Sequence, residues 1–234
     1  NILERLIDFE ELRTSKIKLF VTATKVNTGS SKVFHLPEIT LDAVLASTCL
    51  PYLYQSIEIN GEHYWDGGYT GNPPIYPLIY GTDAKDVLLV QINPLREKTI
   101  PKQVSEIKDR VNEISFNISL MAEMRMITQG YGIEGEVKDV YFQIIPADEI
   151  LADLNFSSKM NTSWEFLNNL RQLGRQVATD WLKNDLQFVG KKSSPVIKDI
   201  FGYVEETWLH EMVKKPAQHL KQKPIQKTNN YTIS

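Results

Sequence analysis

The segment SIEINGEHYW (Ser56 to Trp65) leaves the chain little conformational choice. Two short alternating runs flank Asn60-Gly61. A two-residue loop of this kind closes an antiparallel hairpin, because a type I′ turn needs positive φ at both central positions and Asn-Gly tolerates that best. Fixing the turn fixes the register, so Glu58 faces His63 across the strands. The second strand must then end at Asp66, at the head of DGGYTGNPP. A carboxylate is thereby set at a strand end, followed by two residues that have no Cβ.

Around this hairpin the sequence reads as a mixture of strands and helices. A helical pattern (Ile2, Leu3, Leu6, Ile7) is already under way at the first residues. KIKLFVTATKV and KVFHL are rich in β-branched and aromatic residues and read as strands joined by the turn chemistry of Asn27-Thr28-Gly29. EITLDAVLASTCL reads as a helix capped by Thr40, with Leu41, Val44, Leu45 and Thr48 on one side, packed against a sheet and stopped by Pro51. Pro73 and Pro74 open a short helix through Tyr80 with Gly81 at its C′ position. DVLLVQINP is a continuous apolar run, the pattern of a strand covered on both faces, which predicts a βαβ crossover and a largely parallel sheet.

A long helix is expected from Val104 to about Thr128, with Val104, Ile107, Val111, Ile114, Ile118, Met121 and Met124 at helical spacing. VYFQII is a further strand. A helix capped by Ser163 carries Trp164, Leu167, Leu170, Leu173, Val177, Trp181 and Leu182 and closes near Gly190. A last helix spans Val196 to Val213, and the polar remainder reads as disordered.

Gross composition excludes several functions. A net charge of −3 over 234 residues, with basic clusters only at the chain end, gives no footprint for nucleic acid. The single cysteine, Cys49, lies in an apolar stretch and reads as a buried inert thiol compatible with a reducing compartment. No apolar run approaches the roughly 20 residues of a membrane span, and no basic-then-apolar signal opens the chain. A cytoplasmic or peripherally membrane-associated protein is expected.

Asp before Gly is a common turn sequence, so capping alone accounts for Asp66 locally. Taken with its surroundings the residue gains a second meaning. TATKVNTG (Thr22 to Gly29), AVLASTCLP (Ala43 to Pro51), the hairpin, DGG (Asp66 to Gly68) and NPP (Asn72 to Pro74) occur in the order and approximate spacing of patatin-like phospholipases. Residues 1 to 147 resemble the later half of that catalytic domain, of the bacterial type with an uncharacterised C-terminal extension. The resemblance implies a three-layer α/β/α sandwich. It divides the chain into residues 1–147 (catalytic half), 148–192 (helical extension) and 193–234 (amphipathic helix and polar tail).

It also implies a serine acyl-ester hydrolase working through a Ser-Asp dyad. Asp66 is then the base, Gly67 and Gly68 keep its approach open, no cofactor or metal is used, and the substrate is a glycerophospholipid or related acyl ester reached by transient membrane contact. The G-x-S-x-G nucleophile turn and the upstream glycine-rich oxyanion loop do not occur in the sequence. Ser30 and Ser31 lack the second glycine, Ser47 falls in a helix and Ser56 in a strand. With Asn1 rather than Met at the start, the expectation is that the nucleophile lies on a preceding segment and that this chain alone is inactive.

Two rival readings are a patatin-like binding or scaffolding module without chemistry, and a metal hydrolase built on His63 and Asp66. Met121, Met124 and Met126 fit core packing better than a lipid groove. The stripe Ile197, Ile200, Phe201, Val204, Trp208, Leu209 and Met212 fits docking on its own domain or on a second copy in a homo-oligomer better than a membrane interface, because Asp199, Glu205, Glu206 and Glu211 outweigh Lys198 on the polar face.

Overall fold

The computed structural model describes residues 2–96, 100–128, 140–146, 148–151, 154, 158 and 160–201, all inside the unit Asn1–Gly202. The opening helical pattern is divided in two, α1 (Ile2–Leu6) and α2 (Phe9–Arg13). Asp8 divides them: its side chain leaves helical geometry and accepts the amides of Glu10 and Glu11, both at 3.0 Å, as the cap of α2. Strand β1 (Phe20–Lys25) turns through Gly29 (φ 65°) into β2 (Ser31–His35). Helix α3 (Leu41–Ser47) follows, capped as expected by Thr40, whose Oγ1 accepts the Ala43 amide at 3.2 Å.

The hairpin β3 (Ile57–Ile59) and β4 (Glu62–Asp66) has the predicted register, with Glu58 opposite His63 and positive φ at Asn60 (54°) and Gly61 (79°). Strand β4 returns beside β1, giving a four-stranded antiparallel sheet of order β2-β1-β4-β3. Helix α3 lies on this sheet through Ala43 and Ala46, both fully buried with Ala23, Phe34, Ile39 and Tyr64, while Thr48 is exposed. Two alanines let the helix backbone sit close to the strands, so the smallest side chains make the buried face.

The second half is organised around a parallel pair. Helix α4 (Tyr76–Gly81) precedes β5 (Asp86–Val90), helix α5 (Val104–Thr128) crosses over, and β6 (Tyr141–Ile145) pairs in parallel with β5, Val87 opposite Phe142. Helices α6 (Asp148–Leu151), α7 (Trp164–Asn184) and α8 (Pro195–Phe201) complete the described chain. The fold is mixed α/β with a helical C-terminal part, as expected. The largely parallel sheet is not found among the described residues, because both short-turn hairpins force antiparallel pairing and only the strands separated by the 25-residue α5 run parallel. The βαβ unit is accordingly β5-α5-β6.

Strand β5 differs from its expectation too: burial alternates, with Val87 and Leu89 in the core and Leu88 and Val90 44% and 63% exposed. Helix α4 starts at Tyr76, two residues beyond Pro74, and takes Gly81 as its last residue. In α5 the expected stripe from Val104 to Ile118 is exposed, and the buried face is Phe116, Asn117, Leu120 and Met124. Met121 packs against the core and Met126 is exposed.

The second core gathers Ile75 and Ile79, Val87 and Leu89, Leu120 and Met124, and Phe142 and Ile144. Ile197, Ile200 and Phe201 of α8 complete it, so the described part of the C-terminal stripe docks on its own unit. The remainder of the expected helix to Val213 lies outside the described residues. Segment 190–194 is tied to both strands of the pair: the Gly190 amide donates to both carboxylate oxygens of Asp86 in β5 at 3.0 Å, and the Ser194 amide donates to the Phe142 carbonyl in β6 at 2.8 Å.

Candidate active site

Asp66 is the last residue of β4 and the N-cap of the 3₁₀ turn Gly67–Tyr69. Its own amide donates to the Cys49 carbonyl at 2.8 Å, which ties the strand end to the loop leaving α3. Its carbonyl accepts the Thr24 hydroxyl at 2.8 Å, and Thr24 Oγ1 lies 3.0 Å from Thr70 Oγ1. Its carboxylate Oδ1 accepts the Gly68 amide at 2.7 Å. Three neighbours therefore fix the backbone and the side-chain torsion of one half-buried acid.

The glycines serve closeness of approach. A Cβ on Gly67 would fall within the van der Waals envelope of the Thr22 carbonyl, and one on Gly68 within that of the Phe116 ring. Both residues are buried. The turn is seated directly on β1 on one side and on α5 on the other, where the Phe116 ring meets Tyr69 edge-on with centroids 4.7 Å apart. Phe116, Tyr69, Thr24 and Thr70 are the neighbours that sequence reasoning did not single out. Thr24, the second threonine of the FVTAT run, was the one available signal.

The charge on Asp66 is felt by two neighbours. Burial first, and Asp66 second, push the Cys49 thiol above its ordinary value. The Tyr69 phenol is raised by burial, then by Tyr52 and Asp66. Cys49 itself is buried and its Sγ lies 3.0 Å from the Gln55 carbonyl, as suits a structural thiol.

Ser30, Ser47 and Ser56 are engaged locally. Ser47 Oγ donates to the Val44 carbonyl at 2.7 Å within α3, and Ser30 Oγ lies 2.6 Å from Thr28 Oγ1 in the β1-β2 turn. Ser56, just before β3, has its Oγ 3.0 Å from His63 Nδ1. His63 and Asp66 are three residues apart on one strand and project to opposite faces of the sheet, so the two cannot converge on one ion. Among the described residues no group of three or more His, Cys, Asp or Glu side chains is placed to hold a metal, and no helix is long and apolar enough to cross a membrane.

Residues 1–79 match the family model of patatin-like phospholipase. No curated protein matches the chain. The matched span contains the whole antiparallel sheet, α3 and the turn that holds the carboxylate. Over residues 1–79, Asp66, Gly67 and Gly68 included, the sequence is similar to that family.

Proposed function

We propose that Asp66 is the base of a serine acyl-ester hydrolase acting on lipids, with the nucleophilic serine supplied by a segment outside the 234 residues. The observation that carries this reading is the way Asp66 is held, at a strand end, by Cys49, Thr24 and Gly68 at once. A carboxylate whose torsion is already fixed loses little entropy when it receives a proton from an approaching hydroxyl.

In the reaction, the serine oxygen attacks the ester carbonyl as its proton passes to Asp66. The tetrahedral intermediate collapses, the alcohol leaves with that proton, and an acyl-enzyme remains. Water then attacks the acyl group, giving its proton to Asp66, and the serine leaves re-protonated. Backbone N–H groups on the serine's segment stabilise the oxyanion. No metal takes part. In this reading residues 1–147 belong to the catalytic part, residues 148–192 and 193–234 are appended to it, and the protein meets its substrate by transient membrane contact.

A second reading has its own support. Asp66 caps the 3₁₀ turn, and that structural role alone suffices in a binding module without chemistry. Asp66→Asn separates the two, since an asparagine oxygen still accepts the Gly68 amide but takes no proton. In the complete open reading frame, hydrolysis of a short-chain p-nitrophenyl ester is expected to fall about 10²- to 10⁴-fold in Asp66→Asn with the melting temperature retained. Equal rates for the two proteins would leave only the structural role.

A further inference from the structure

Along α5 the residues Val104, Ile107, Val111, Ile114 and Ile118 follow one another at alternating steps of three and four, the a and d positions of a heptad. All five are between 45% and 70% exposed. We propose that this stripe is a dimer seam, on which the α5 helix of a second copy of the chain packs antiparallel.

The stripe is turned away from the surfaces already described. At about 100° per residue, Leu120 lies about half a circle from Val111, and Phe116, which meets the turn after Asp66, about 140°. The helix is therefore apolar on two opposite sides. On one, Leu120 and Met124 enter the second core of their own unit, and the other is left open among the described residues. A segment that carries a serine to Asp66 comes to the Phe116 side and leaves the stripe free.

The spacing gives the shape of the partner. A 3.5-residue period keeps one seam facing another helix, whose side chains enter the spaces between these. Lys108 is the one charged residue on this face from Val104 to Ile118, since Glu106, Asp109, Arg110 and Glu113 lie toward the other sides. Interface centres are depleted of charge in the same way. The five side chains expose on the order of 500 Å² of apolar surface, as much as the largest patch of an ordinary monomer. Two copies of one seam reach the roughly 1,000 Å² that a stable interface needs, and a two-fold pair is the commonest way to cover a self-complementary patch.

The orientation follows from how α5 is anchored. It is 25 residues long, about 37 Å, whereas β5 and β6 have five residues each, about 17 Å. Its buried residues all come from Phe116 onward, so the first half can lie along another helix. In a parallel pair the two units would collide at the same end. Antiparallel pairing puts them at opposite ends and opposes the helix dipoles. Val111 then packs against the partner's Ile114, and Ile107 against the partner's Ile118.

The test is sedimentation equilibrium of the full chain and of the complete open reading frame, from micromolar to near-millimolar loading. A reversible dimer is expected in both. The double variant Ile107→Lys, Ile114→Lys is expected to weaken it by about tenfold or more with the melting temperature retained. Leu182→Lys, at an equally exposed apolar position on α7, is expected to dimerise as wild type. Under mild oxidation, Ile107→Cys mixed with Ile118→Cys is expected to form a disulfide-linked dimer that neither forms alone. A monomer in either protein, a dimer indifferent to the double variant, an equal loss in Leu182→Lys, or no cross-link in the mixture would each overturn the proposal. So would a monomer that adsorbs to phosphatidylcholine vesicles and loses that adsorption in the double variant, since a lipid surface would then be the occupant.

Discussion

The carboxylate of Glu123, five residues before the end of α5, accepts the backbone amides of Ile75 at 2.9 Å and Tyr76 at 2.5 Å. It thereby caps α4 from another element, where Ile75 as N-cap residue offers no side-chain acceptor. Two charge-assisted bonds to otherwise orphaned amides make this a strong tie between the turn after Asp66 and the second core. Glu123→Ala is expected to lower unfolding free energy by about 2–3 kcal/mol and Glu123→Gln by about half as much, read from urea denaturation.

Three glycines separate close packing from open space. Gly67→Ala drives a methyl into the Thr22 backbone and is expected to cost more than about 3 kcal/mol or to abolish folding. Gly68→Ala meets the buried Phe116 ring, a side chain rather than backbone, and is expected to cost about 1–3 kcal/mol as that ring is displaced. Gly174→Ala meets nothing and is expected to stabilise by up to about 1 kcal/mol. Thermal and urea unfolding of the three variants give the order directly.

Cys49 reports on the charge of Asp66. Its thiol is buried and pushed upward first by that burial and then by the carboxylate, so alkylation by iodoacetamide at pH 8 is expected to be at least about tenfold slower in the native chain than in urea. Asp66→Asn removes the second cause, lowers the thiol's value and is expected to speed native alkylation. An unchanged or slower rate would mean that the Asp66 carboxylate does not act on the thiol.

On the acid side, Glu38 is held below its ordinary value of 4.5, chiefly by the hydrogen bond from Lys32 Nζ at 2.6 Å and also by the His35 amide, against the opposing effect of burial. A lowered folded-state value means that the unfolded chain binds the proton more readily. The stabilisation is therefore complete above pH 4.5 and lost as pH falls through the folded value. Glu38→Gln is expected to flatten the acid limb of a stability-versus-pH curve below about pH 5 and to leave its neutral region parallel to wild type.

What was legible in the sequence followed local rules. Asn60-Gly61 fixed the hairpin because its turn admits few backbone solutions, and the Glu58–His63 pairing came with it. Val104 and Thr128 were read correctly as the ends of α5. The buried face of that helix was not, since Ile107, Val111 and Ile114 are as apolar as Leu120 and Met124, and only the elements packed against it decide which side is covered. In the same way the apolar run of β5 could not reveal that one face stays uncovered. Asp66 was found by its position after the hairpin, but its clamp of Cys49, Thr24 and Gly68 joins residues 17 and 42 positions away, beyond any local pattern.

The turn that follows Asp66 rests backbone to backbone on the strand beneath it, with no side chain between to act as a cushion. The acid consequently moves with the sheet rather than with a loop. Any reacting partner has to be brought into line with it, which places the burden of alignment on the incoming group and makes the spot a fixed point against which the rest of a catalytic machine is assembled.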